Sequence, residues 1–212
     1  MQKGFFIVLE GPDGAGTTTH AALLAERLQK EGREVILTAE PTQGKYGKEI
    51  REALKGAPPF DSAQGRRGAP TPGDIQELFS RDRADHITTL IEPALAQGKI
   101  VISDRYIPST LVYGEAQDLG LEWLQSLNKS FIQPNCTFLL LPPFEICFAR
   151  VSKRAVRDAF EQEQFQRKVY EGYRKFAEEH PEVMVIDTSG GKEGSADLIF
   201  AAVEKMVALD GK

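Results

Sequence analysis

The stretch Gly11-Pro12-Asp13-Gly14-Ala15-Gly16-Thr17-Thr18-Thr19 follows the apolar run Phe5–Leu9 and opens a segment with helical spacing. Glycines at 11, 14 and 16 between a buried strand and a helix N-terminus turn successive backbone N–H groups toward one point, where the helix dipole also favours negative charge. That is phosphate-binding chemistry. The pattern G-x-x-x-x-G-K-S/T is met at Gly11, Gly16 and Thr18, with Thr17 where a lysine would reach the β- and γ-phosphates. Thr18 is placed to offer its hydroxyl to a Mg²⁺ ion bridging those phosphates. Thr17 can donate one hydrogen bond but brings no charge, and a lost charge at a transferring phosphoryl costs a factor of about 10² or more in rate unless another cation enters. A glycine-rich turn at a helix N-cap is the plainer alternative.

Behind the loop stand elements that must hold it. Short apolar runs recur at Phe5–Leu9, Val35–Thr38, Ile100–Ser103, Thr137–Leu141 and Val183–Ile186, as in strands buried on both faces of a parallel sheet. Helical patterns separate them: Ala21, Leu24, Ala25 and Leu28 before Gly32, a long helix from Ile75 through Leu95 closed by Gly98, and a last one from Leu198 to Val207. Alternation of this kind predicts an α/β fold, a doubly wound parallel five-stranded sheet flanked by helices. The stretch 56–73, dense in proline and glycine and carrying Arg66-Arg67, reads as a flexible surface loop.

Composition sets the bounds. A chain of 212 residues with 41% hydrophobic residues can bury a sizeable core and suits one domain over 1–212. A net charge of −5 argues against a protein that coats nucleic acid, though local basic clusters can still bind an anion. Cys136 and Cys147 form no C-x-x-C pair and sit among apolar residues, which suits buried structural thiols. His20, His86 and His180 have no metal-ligand spacing and read as surface residues. No charged-then-apolar leader precedes the first strand and no apolar run approaches the roughly 18 residues of a membrane span, so the expectation is a cytoplasmic protein with no membrane partner.

Several further segments extend the pattern beyond the loop: Glu40-Pro41-Thr42 followed by Gly47-x-x-Ile50-Arg51, Leu78-Phe79-Ser80-x-x-Arg83, and Ser103-Asp104-Arg105-Tyr106-x-x-Ser109-x-x-x-Tyr113. With the glycine loop, their order and spacing resemble thymidylate kinases along nearly the whole chain. The resemblance implies P-loop kinase architecture with a helical lid, phosphorylation of dTMP by ATP with Mg²⁺, and a homodimer.

The same resemblance implies roles. ATP lies on Gly11 through Thr19, including Pro12, Ala15 and Thr17. Asp13 resembles the acid that contacts the deoxyribose 3′-hydroxyl, and Phe79 the aromatic that stacks on thymine. Arg83 and Arg105 resemble arginines that clamp the acceptor phosphate, and a planar guanidinium suits that task. Asp104 resembles the carboxylate near Mg²⁺, with Thr18 as its partner; Glu40 and Tyr113 line the acceptor pocket, and Arg51 is a further phosphate contact. Arg150, Lys153, Arg154 and Arg157 precede Asp158-Ala159-Phe160-Glu161, so the lid is placed at 150–161, and Arg154 or Arg157 closing over ATP would supply the charge that Thr17 lacks. A solvated helix face is the other reading of that basic run.

The chain departs from the family pattern at Thr17, at Ala39 before Glu40-Pro41, at Leu140 and Leu141 near a usual aspartate, at Ala159 in the lid, and at Gly114, where many members carry a glutamine able to read the base. Two other readings stay open. Gly114 is the warrant for a same-fold kinase of another deoxynucleoside monophosphate, and Thr17 with Ala159 for a nucleotide-binding protein with little turnover.

Overall fold

Alternation along the first strand splits the core in two. β1 (Phe5–Glu10) is buried throughout, and Phe5, Ile7 and Leu9 enter one apolar cluster while Phe6 and Val8 enter another on the opposite face. The computed structural model describes residues 4–55, 70–152 and 159–210. In it β1 is joined by β2 (Val35–Ala39), β3 (Ile100–Asp104), β4 (Cys136–Leu140) and β5 (Met184–Ile186) in an all-parallel sheet of order β2-β3-β1-β4-β5. Each of the five predicted strands is present within a residue or so of its expected ends.

The helices are α1 (Thr17–Lys30), α2 (Lys45–Leu54), α3 (Pro72–His86), α4 (Glu92–Ala96), α5 (Ile107–Ala116), α6 (Leu121–Asn128), α7 (Phe144–Ser152), α8 (Ala159–Glu179) and α9 (Lys192–Asp210). α1 buries Ala21, Leu24, Ala25 and Leu28 against the sheet, carries Arg27 and Lys30 where its dipole favours cations, and is followed by Gly32 at φ 81°.

Two corrections concern the region before β3. Residues 56–69 of the expected loop lie outside the described residues, but 72 and 73 are already helix: the Thr71 side chain accepts from the Asp74 backbone, Asp74 accepts from the Thr71 backbone at 2.8 Å, and Pro72 occupies the first turn. What reads as a cluster of breakers ends in a helix start signal, since proline is tolerated where no N–H is needed. The long helix expected through Leu95 is interrupted by a wider π turn at Ile87–Ile91, because Pro93 has no N–H to return to the preceding turn.

β3 and β4 flank β1 on either side, so the chain leaves the sheet in opposite directions from neighbouring strands. A crevice forms beyond their carboxyl ends, where ligands of open α/β sheets bind. The glycine loop and Asp104 both emerge there.

Candidate functional site

The loop after β1 is held by backbone packing that tolerates no side chain at Gly11 or Gly14. A Cβ on Gly11 would lie 2.4 Å from the Leu140 carbonyl oxygen, and one on Gly14, at φ 85°, 2.4 Å from the Cys147 carbonyl oxygen. Pro12 and Ala15 face the frame: the Ala15 amide donates to the Pro12 carbonyl at 3.0 Å, and the Ala15 carbonyl accepts from Thr188 at 2.7 Å. Asp13, Gly14, Gly16 and Thr17 to Thr19 instead line a cavity of about 820 Å³, together with Arg105, Arg150 and Lys192. Arg150 is tied to the loop through the Gly14 carbonyl at 2.9 Å and reaches the Thr188 carbonyl at 3.2 Å. Lys153, Arg154, Arg157 and Asp158 lie outside the described residues.

Thr18, which lines this cavity, donates from Oγ1 to Asp104 Oδ2 at 2.5 Å. The other Asp104 oxygen, Oδ1, is buried without a hydrogen-bond partner among the described residues. A hydroxyl beside a carboxylate with one unpartnered oxygen is a hard-oxygen set that fits Mg²⁺, which keeps most of its waters and takes one or two protein ligands. Among the described residues no group of three or more His, Cys, Asp or Glu side chains is placed to hold a metal.

A second cavity of about 320 Å³ is lined by Phe79, Ile75 and Gln76 of α3, by Tyr113 of α5, by Phe165 of α8, and by Asp13 and Arg105. Asp13 and Arg105 line both cavities, and they are paired at 2.6 Å. Arg105 sits at φ 73°, a conformation costly for a side-chain-bearing residue and one that persists where the surroundings fix it. Its amide donates to the Leu9 carbonyl at 2.9 Å and its carbonyl accepts from Ser103 at 2.8 Å. Burial alone works against its charge, but the neighbouring Tyr113, Tyr173, Asp13 and Glu10 outweigh it and raise the pKa above the usual arginine value.

Glu10, at the end of β1, carries no signal in the sequence. It is fully buried, accepts from the Tyr106 amide at 2.7 Å, from Ser109 Oγ at 2.8 Å and from Tyr173 at 2.9 Å, and those two hydroxyls in turn accept from Arg105 at 3.1 and 3.4 Å. Burial raises its pKa, against the pull of Arg105, Ser109, Tyr106 and Tyr173. Gln166, from α8, reaches Asp13 at 3.3 Å. Tyr113 lays its ring 5.4 Å from the Arg105 guanidinium, and its hydroxyl is buried with no hydrogen-bond partner among the described residues.

Of three further expected acceptor contacts, Arg83 and Glu40 line the second cavity and Arg51 does not. Arg83 is 1% exposed; its Nε and Nη2 both donate to Glu40 Oε2, at 2.9 and 2.7 Å, Nη1 is on Asn128, and Nη2 also reaches the Tyr106 carbonyl and Thr110 Oγ1. That guanidinium is held by protein acceptors in the wall of the second cavity. Glu40 is likewise buried, between Arg83 and His86, whose Nδ1 lies 3.1 Å away. Arg51 does not line the cavity: it is on the Pro41 carbonyl at 3.1 Å and Gln43 at 3.2 Å, because α2 aims it back along the preceding segment. Asp82, between two arginines in sequence, pins that segment through the Thr42 amide at 2.7 Å. Phe79 is half-buried with its ring in the cavity wall.

Two of the histidines are also corrected. His20 is buried, between the Gly16 carbonyl at 2.9 Å and Ser195 at 2.7 Å, and His86 is buried between Glu40 and Thr38. Cys136 and Cys147 are free and buried as expected, and burial pushes their pKa values up to about 12 and about 11.

Comparison with known proteins is consistent across the chain. The family model for thymidylate kinase matches residues 9–199. A probable thymidylate kinase of Thermococcus kodakarensis is 41% identical over 208 residues, covering 95% of this chain and 98% of the relative. One from Pyrococcus horikoshii is 38% identical over 203 residues (95% and 97%), and a thymidylate kinase of Synechococcus sp. is 37% identical over 211 residues (96% of each).

Proposed function

The chain belongs to the thymidylate kinase family, and from that premise we propose that it transfers the γ-phosphoryl group of ATP to dTMP, giving dTDP and ADP. One observation carries the proposal: a cavity floored by the phosphate loop and a second cavity walled by Phe79 meet at the Asp13–Arg105 pair. An acceptor phosphate brought to Arg105 from one side faces a triphosphate on the loop from the other. In-line transfer needs that juxtaposition and charge neutralisation more than it needs a protein nucleophile.

In this reading ATP lies on Gly11 to Thr19, its phosphates taking the backbone N–H groups of Gly14 and of Gly16 to Thr18. Thr18 and Asp104 would hold Mg²⁺, which when bound neutralises charge on the transferring phosphoryl and its leaving group. Phe79 offers its face to thymine, Asp13 accepts from the sugar 3′-hydroxyl, Tyr113 closes over the sugar, and Arg105 binds the acceptor phosphate. Glu40 and Arg83 hold the wall on which those groups stand. A phosphate oxygen of dTMP attacks the γ-phosphorus, the bond to the β-phosphate oxygen breaks, and ADP leaves. Arg150 and Lys192 border the donor cavity that Thr17 leaves without a lysine, and Arg154 and Arg157 of the 150–161 lid are assigned the same compensating task.

The same reading makes 1–212 one kinase domain, acting as a homodimer in the cytoplasm on small nucleotides. Family resemblance supports those assignments. Among the described residues no helix is long and apolar enough to cross a membrane. A coupled ADP-release assay with dTMP, dUMP, dCMP and dGMP tests the proposal: dTMP gives the highest kcat/KM, and equal turnover of all four, or preference for another acceptor, sinks it.

A further inference from the structure

We propose that His20 is a positioning residue of the donor site, its ring holding the Gly16–Thr17 peptide so that the Thr17 amide faces the triphosphate; the inference rests on the kinase reading above. In a planar trans peptide the carbonyl and the following N–H point in opposite directions, so whatever grips a loop carbonyl aims the next amide. Three successive loop carbonyls are gripped by side chains. Gly14 accepts from Arg150 at 2.9 Å, Ala15 from Thr188 at 2.7 Å, and Gly16 from His20 Nδ1 at 2.9 Å. A carbonyl can only accept, so Nδ1 carries a proton. The His20 ring is 4% exposed, and its Nε2 meets the hydroxyl of Ser195, buried on α9, at 2.7 Å.

The amides that follow those carbonyls are not equally free. Ala15 spends its N–H on the Pro12 carbonyl at 3.0 Å, whereas the Gly16 and Thr17 amides have no backbone acceptor among the described residues. Gly16 is the N-cap of α1 and has no side chain to offer the first-turn amides, which therefore stay open to an anion. Position 17 brings no ammonium group, so its backbone amide is the dipole it has to set against phosphate charge. The Gly16 carbonyl accepts from the His20 backbone amide at 3.0 Å as well as from the ring, which uses both its lone pairs. Donation into that carbonyl polarises the peptide and strengthens the Thr17 N–H as a donor. The ring has a second reach. Ser195 Oγ also lies 3.3 Å from the Lys192 carbonyl, so His20 ties the phosphate loop to the first turn of α9, and both His20 and Lys192 line the donor cavity.

The test compares the natural protein with His20→Leu and His20→Asn. Dissociation constants are measured by calorimetry for the Mg²⁺ complex of a non-hydrolysable ATP analogue and for dTMP, beside the KM of each substrate. Leucine removes both ring bonds, whereas asparagine sets its amide nitrogen where Nδ1 stood and keeps the bond to Gly16. In His20→Leu the ATP-analogue constant and the KM for ATP rise by about tenfold, the scale of one hydrogen bond to a charged group, while the dTMP values stay within about threefold. His20→Asn recovers most of that loss. An ATP-analogue constant within about threefold of the natural value in His20→Leu, equal weakening of both ligands, or no recovery in His20→Asn overturns the assignment. Should the leucine variant fail to fold by thermal melt, Ser195→Ala, which frees Nε2 and leaves the ring in place, is read by the same two constants. A rise of about threefold or more for the ATP analogue alone then supports the assignment, and no rise overturns it. Failure of the kinase reading looks different: the natural protein then gives no dTDP, and the ATP-analogue constants still decide whether His20 positions the phosphate loop.

Discussion

Arg83→Ala should cost stability first and acceptor binding second. The side chains of Arg83 and Glu40 are 1% and 2% exposed, and the guanidinium makes a two-pronged contact with one carboxylate oxygen besides its bonds to Asn128, Tyr106 and Thr110. Its removal leaves Glu40 buried with His86 as its one remaining side-chain neighbour among those bonded to it. Stranding one member of a buried ion pair costs about 3–5 kcal/mol. For a chain of this length that corresponds to a fall in Tm of roughly 6–20 °C. Differential scanning calorimetry reads it directly, and the double variant Arg83→Met/Glu40→Leu should recover part of the loss, because no unpaired charge remains. The reasoning is refuted if Arg83→Ala melts within about 3 °C of the natural protein while its KM for dTMP rises by two orders of magnitude or more, for then the guanidinium would be a substrate clamp.

Phe79→Ala should weaken dTMP binding by about 1–3 kcal/mol through lost stacking and leave ATP affinity unchanged; equal weakening of both ligands would mark Phe79 as core. Asp104→Asn, keeping size and removing the charge beside Thr18, should lower kcat by about 10²-fold or more and raise the Mg²⁺ concentration needed for half-maximal rate, whereas an unaltered Mg²⁺ dependence would exclude Asp104 from the metal's surroundings. Among Arg150→Ala, Arg154→Ala, Arg157→Ala and Thr17→Lys, at least one arginine change should reduce kcat by more than about tenfold; if none does and Thr17→Lys alone accelerates turnover strongly, no arginine stands in for the lysine. Glu10 has a folded-state pKa raised by burial, so its favourable contribution is complete below the ordinary value of 4.5 and is lost as pH rises through the raised one. Urea melts of Glu10→Gln against the natural protein should therefore diverge in the variant's favour as pH rises from 4.5, and a pH-independent difference contradicts the burial argument.

The parallel strands were legible because a strand buried on both faces must be apolar throughout, and the phosphate loop because its glycines and Thr18 lie within a few residues of each other. Features set by distant partners were not. Arg83 lies in an Arg-Asp-Arg run that resembles a solvated helix face, but its partner Glu40 is 43 residues away in sequence. Glu10 meets Tyr173 across 163 residues, and His20 meets Ser195 across 175, so no local pattern announces either burial. The start of α3 was present in the letters Thr71-Pro72 and Asp74, hidden by a proline-rich stretch whose composition pointed the other way. Gln76 looks like an ordinary helix-surface amide, yet it is buried in the wall of the second cavity.

The most direct measurement follows the phosphoryl group itself. ATP labelled at the γ-phosphate is incubated with dTMP, Mg²⁺ and the protein, and the nucleotides are separated. The account predicts label at the β-position of dTDP in amounts equal to the ADP formed, abolished by chelating Mg²⁺ and by omitting dTMP. Label released as inorganic phosphate, or retained on ATP while both nucleotides bind, would contradict the claim that the two cavities meeting at Asp13 and Arg105 form one transfer site.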